Sequence, residues 1–124
     1  MKKAILSLLV VSVLSSFAVI SFAEVVSAMK AASASEVAKY FDNSVEITVF
    51  QKTNFYSKKQ AELVLSDFFQ ANTVKNFEVI HQSESSASQY CIGNLTTKNG
   101  VYRTTIYMKQ KGSKQVIQEL RFEK

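Results

Sequence analysis

Beyond residue 73 the chain holds four apolar-rich runs of strand length, at 77–82, 89–97, 101–109 and 115–123, and it contains no proline. Only short polar segments separate them. Parallel neighbours need a crossover of a dozen or more residues, so connections this short imply an antiparallel meander. Lys98-Asn99-Gly100 and Lys111-Gly112-Ser113 carry hairpin signals, and residues 83–88 read as a polar loop. Such a sheet buries one face and requires a second layer to cover it.

The upstream half supplies that layer. Ser57 caps a predicted helix over 58–71, in which Ala61, Val64, Leu65, Phe68 and Phe69 form one apolar stripe. Lys59, Glu62, Ser66, Asp67 and Gln70 fall on its polar side. Between 24 and 43 the apolar residues recur at helical spacing, and Ser33-Ala34-Ser35-Glu36 matches a capping box. The expectation is a short helix to about 32, a turn and a second helix to about 42. Residues 45–50 alternate with period two and predict a strand.

Length sets the scale. A chain of 124 residues makes one domain with one modest core. Lys2 and Lys3, the apolar run 4–20 and Ser21-Phe22-Ala23 form an export-signal pattern, with cleavage expected after Ala23. The expected units are a signal peptide, 1–23, and a domain, 24–124, released to the periplasm or the extracellular space. Membrane attachment is expected only through an uncleaved signal. Losing Lys2 and Lys3 lowers the formal charge from +5 to +3, too weak and dispersed to suggest a nucleic-acid partner. Cys91 has no second cysteine to pair with, and its strand-like setting predicts a packed side chain. One His and one Cys make no metal-ligand spacing, and no cofactor is expected.

Register depends on the first hairpin. A three-residue loop at Lys98-Asn99-Gly100, with Gly100 in the left-handed region, pairs Tyr90 with Met108 and Ile92 with Ile106. A turn of Asn99-Gly100 alone turns Cys91, Gly93 and Leu95 to the core instead, because a one-residue slip exchanges the faces. The first register aligns more apolar residues and is preferred. It carries Val45, Ile47, Val49, Phe77, Val79, His81, Tyr90, Ile92, Tyr102, Ile106, Met108, Val116, Leu120 and Phe122 on the inner face. Gly93, inside a strand, marks a bulge or bend.

The order of elements resembles the nuclear-transport-factor-2-like (cystatin-like) superfamily, the cone shared with ketosteroid isomerase and scytalone dehydratase. More closely, the chain resembles a family of small exported bacterial proteins in that superfamily, known as a domain of unknown function. Glu36-Val37-Ala38-Lys39-Tyr40-Phe41-Asp42, the run 45–49, and Tyr56-Ser57-Lys58-Lys59-Gln60-Ala61-Glu62 leading to Asp67-Phe68-Phe69 carry the resemblance. His81, Tyr90-Cys91-Ile92-Gly93 and Asn99-Gly100-Val101-Tyr102-Arg103 complete it. Gln82-Ser83-Glu84-Ser85 departs from the glycine-containing turn expected there. The resemblance implies an α+β fold, with N-terminal helices packed on a bent antiparallel sheet, and carries over no catalytic residue.

Two sets of residues follow from these faces. His81, Tyr90, Tyr102 and Gln118 share the expected cone mouth and are the candidate ligand-binding residues. Phe50, Leu95, Tyr107 and Ile117 sit on the expected outer face and are candidates for a homodimer or partner interface. With no Asp or Glu on the inner face, isomerase chemistry lacks its carboxylate base. The favoured reading is an exported, non-catalytic domain binding a small apolar ligand or a protein partner. The alternative is a small isomerase, dehydratase or hydrolase using His81 with a tyrosine.

Overall fold

The computed structural model describes residues 22–85 and 87–124. Except for Phe22 and Ala23, the predicted leader lies outside the described residues. Helix α1 (Phe22–Lys30) buries Phe22, Val25, Ala28 and Met29. It ends where Ala32 takes φ +53° and the Ser33 N–H donates to the Ala28 carbonyl, which closes the last turn. Ser33 then caps α2 (Ala34–Ala38), its Oγ accepting from the Glu36 N–H at 3.2 Å, as the capping-box pattern predicts.

Helix α2 stops at Ala38, four residues short of the expectation. Phe41 and Asp42 already belong to strand β1 (Phe41–Val49), where Phe41, Val45 and Ile47 are buried. A tight turn at Phe50-Gln51 leads into β2 (Lys52–Ser57), a strand that the residue pattern does not announce. Ser57 caps α3 (Lys58–Ala71), accepting from the Gln60 N–H at 3.2 Å. Ala61, Leu65, Phe68 and Phe69 of α3 are buried, the predicted stripe.

Four long strands complete the chain: β3 (Val74–Glu84), β4 (Ser88–Thr97), β5 (Gly100–Lys111) and β6 (Lys114–Glu123). The six strands form one sheet in the order β2-β1-β6-β5-β4-β3. It is a mixed sheet and not a purely antiparallel one, because β1 runs parallel to its neighbour β6. The connection from β1 back to β6 passes through α3 and the whole meander, so it is long enough for a parallel pair. α3 packs on β1 and β2, α1 packs on β3, and α2 joins the two helices.

Two bulges and one turn decide the faces. The β4–β5 turn residues are Lys98 and Asn99, with Thr97 opposite Gly100 at φ +118°. Cys91 therefore pairs with Ile106 and Leu95 with Tyr102, so Cys91, Gly93 and Leu95 face the core and Tyr90 and Ile92 do not. In β3 an extra residue between Val79 and His81 reverses the alternation and turns His81 outward. Gly93 lies opposite Val79. A Cβ there would stand 2.6 Å from the Phe77 ring, so the missing side chain makes room for a core aromatic. In β6 the register shifts around Gln118, which sends Ile117 into the core and leaves Val116 half-buried.

Candidate functional site

The four residues expected at the cone mouth do not converge. His81 is exposed and lies against the half-buried Tyr90 on the outer sheet face, ring centroids 5.7 Å apart. Tyr102 is buried in the core, and its hydroxyl donates to Asn72 Oδ1 at 3.1 Å. Gln118, at the β6 bulge, donates through Nε2 to Asp42 Oδ2 at 2.9 Å. The bulges that reverse β3 and β6 separate these side chains, apart from His81 and Tyr90, which stay neighbours on the outer face.

The expected interface residues separate in the same way. Leu95 and Ile117 are fully buried in the core. Tyr107 is half-buried on the outer face, while Phe50 stands 63 % exposed at the tip of the β1–β2 hairpin. The outer face carries charge instead: Arg121 pairs with Glu119 at 3.5 Å and Glu123 at 3.4 Å.

Asp42 is a buried anchor that the residue pattern did not single out. Its carboxylate accepts from Lys111 Nζ at 3.0 and 3.3 Å, from Gln118 and from the Asn43 N–H at 2.7 Å. Burial pushes the carboxyl pKa upward, but these donors and the lysine charge outweigh it and hold it below the usual carboxylate range. The cluster ties the start of β1 to the β5–β6 hairpin. Cys91 is fully buried, and burial pushes its thiol up to about 11, the state of an inert packed side chain. Among the described residues no three His, Cys, Asp or Glu side chains gather closely enough to hold a metal ion.

An apolar-walled cleft of ligand-sized dimensions lies between the inner face of the β1–β2 hairpin and α3. It encloses about 450 Å³, within the usual range for small-molecule sites. Ile47 and Val49 form one wall, Val64 and Phe68 the other, and Phe50 closes the tip. Lys52 and Asn54 from β2 and Asp67 from α3 supply polar groups at the rim, with Tyr56 between them. Asp67 was expected to face solvent alone; it is exposed, yet it also borders this cleft. A helix position one step off the apolar stripe serves both surfaces, and only the position of β2 makes that visible.

The hairpin tip is held under strain. Phe50 and Gln51 both take positive φ, +54° and +68°, which a two-residue turn between twisted strands requires and which Asn and Gly meet most easily. Each non-glycine residue there costs about 1 kcal/mol or more. Edge-on contact between the Phe50 and Tyr102 rings, centroids 6.1 Å apart, helps to hold the tip. A second recess of about 720 Å³ opens on the other side of Phe50, bordered by Val101, Arg103 and Lys124.

An α+β cone with helices over a bent six-stranded sheet is the nuclear-transport-factor-2-like architecture. A protein of that kind and of unknown function from Cytophaga hutchinsonii superposes with a TM-score of 0.59 at 9% identity, over 81% of this chain and 82% of that one. Residues 22–123 match the family model for a domain of unknown function, DUF4783, and the chain belongs to that family. Crystal structures of DUF4783 family proteins from Bacteroides ovatus and Bacteroides uniformis are each 30% identical to it. The first superposes with a TM-score of 0.80, covering 82% of this chain and 93% of that chain. For the second the TM-score is 0.81, with 83% and 95% covered. No curated protein matches the chain.

Proposed function

We propose that this is an exported, non-catalytic binding domain whose ligand is a small, mainly apolar molecule with one polar end. The observation that carries the reading is the 450 Å³ cleft between the β1–β2 hairpin and α3, with apolar walls and polar groups confined to its rim. An apolar body would displace water from Ile47, Val49, Val64 and Phe68, at about 25 cal/mol per Å² of apolar surface covered. Asn54, Lys52 and Asp67 would orient the polar end. The basic, apolar and small-residue pattern of residues 1–23 supports export. Among the described residues no helix is long and apolar enough to cross a membrane.

An enzymatic role for His81 has no geometric support, because its ring faces Tyr90 on the outer sheet face, away from this cleft. The binding test uses N-phenyl-1-naphthylamine, a neutral apolar fluorophore. Its emission is expected to rise and saturate with the wild-type protein and to stay low with Ala71→Trp, which fills the cleft from the exposed end of α3. Equal enhancement by both proteins, or none by the wild type, would remove this cleft as the site.

A further inference from the structure

We propose that the protein forms a two-fold homodimer through the edge of β2 and the exposed face of α3. The two edges of the sheet differ. β3 is irregular, with register shifts at Val74/Asn76 and Val79/His81, the devices that keep an edge from pairing with another chain. β2 pairs with β1 without a shift from Ser44↔Ser57 to Val49↔Lys52, so among the described residues its other side is a regular, unpaired strand edge.

Beside that edge stand Phe55, 71 % exposed and opposite Glu46 on the sheet face away from α3, and Leu63, 63 % exposed on α3, both bordering one groove of about 490 Å³. The charges around Leu63 identify the occupant. Lys59, Leu63 and Asp67 are four residues apart and lie in one row on the helix. Among the described residues neither Lys59 nor Asp67 has an ion-pair partner. A two-fold axis at Leu63 sets two such helices antiparallel, bringing Lys59 of each copy to Asp67 of the other, with the leucines between them. The row is complementary to itself and to no simple acidic or basic partner.

The strand agrees with the same axis. Phe55 lies two residues before Ser57, about 7 Å of strand, and Leu63 five residues after Lys58, about 7.5 Å of helix. Because α3 turns back after β2, the two side chains stand at nearly the same level. One axis therefore pairs β2 with β2 antiparallel and α3 with α3, and each Leu63 meets the groove of the other copy. This is an isologous contact, closed at two subunits.

Sedimentation equilibrium of the purified protein, from micromolar to millimolar concentration, is expected to fit a monomer–dimer equilibrium. Lys59→Asp and Asp67→Lys should each weaken the dimer about tenfold, because each makes two cross-axis pairs repulsive. The double exchange should restore it. Leu63→Cys should cross-link as a dimer under mild oxidation, while Lys114→Cys, at the β5–β6 turn, should not. A monomer at every concentration, or a dimer that ignores the charge exchange, would overturn the proposal. Asp67 lines the 450 Å³ cleft, but Lys59 and Leu63 do not, so loss of dimer in Lys59→Asp with probe binding retained separates the two outcomes.

Discussion

The two hairpins that flank α3 are built to opposite specifications. At the β4–β5 turn, Asn99 Nδ2 donates to the Ala71 carbonyl at 2.9 Å and to Asn72 Oδ1 at 2.8 Å. Asn72 in turn accepts from Tyr102 and donates to the Phe68 carbonyl at 3.0 Å. That end is closed: a buried polar network satisfies the last carbonyls of the helix and fixes the turn to it. At the β1–β2 turn the tip is exposed, two residues are held at positive φ, and a cleft separates the strands from the same helix. Stability is concentrated on the β4–β5 side of the α3 C-terminus and accessible surface on its β1–β2 side, so one helix end serves both purposes.

Substitutions at the two hairpins should therefore differ in size and sign. The largest effect is expected from Tyr102→Ala at the closed end, a loss of about 4 kcal/mol, typical of emptying an aromatic core site. Urea unfolding would measure it; a loss below about 1 kcal/mol would mean that the network does not anchor this end. Asn72→Ala should cost about 2 kcal/mol, because it leaves the Tyr102 hydroxyl and the Asn99 amide without their partner. Asn72 borders the cleft but owes this cost to the network, so a matching loss in Tyr102→Phe/Asn72→Ala over Tyr102→Phe alone would contradict that assignment.

Asp42→Asn, remote from both ends, should cost about 1–2 kcal/mol at neutral pH by weakening the anchor to Lys111 and Gln118. Its sign with pH follows from the lowered pKa. The stabilisation is present above the ordinary value of 3.8 and is lost as pH falls through the folded value. Thermal unfolding in the acid range should show a shallower fall for the asparagine variant than for the wild type. The smallest effect is expected at the open tip. Gln51→Gly should stabilise the fold by about 0.5 kcal/mol, because relief at φ +68° exceeds the entropy glycine adds to the unfolded chain. If it destabilises instead, the tip is not strained and the contrast between the hairpins is weaker than described.

Local signals carried much of the fold. Ser33 and Ser57 cap the helices where their sequence patterns place them, and the α3 stripe is buried as its spacing predicts. On β5, Tyr102, Ile106 and Met108 face the core as expected. What escaped depends on long-range pairing. The β4 register is set partly by Asn99 reaching the end of α3, which favours a Lys98-Asn99 turn and exposes the face that carries Tyr90 and Ile92. Bulges at Ile80 and Gln118 break the period-two alternation; Gly93, expected to mark a bulge, lies on β4 opposite the first, and no glycine stands at the second.

The same reasons explain the site. The Phe50-Gln51 turn contains neither Asn nor Gly, so β2 gave no hairpin signal, and with β2 unseen its cleft with α3 could not be inferred. Asp67 then read only as part of the polar side of its helix. Asp42 likewise resembled a helix end until the parallel pairing of β1 and β6 brought Gln118 to it. His81 and Tyr90 did stay together, but on the outer face.

The most direct test of the division between a closed and an open hairpin is an NMR titration of the isotopically labelled protein with N-phenyl-1-naphthylamine. The account predicts saturable shifts at Ile47, Val49, Val64 and Ala71, with Tyr90, Ile92 and Tyr107 unmoved. Shifts centred on the outer face around Tyr90, or none up to the solubility limit of the probe, would contradict it.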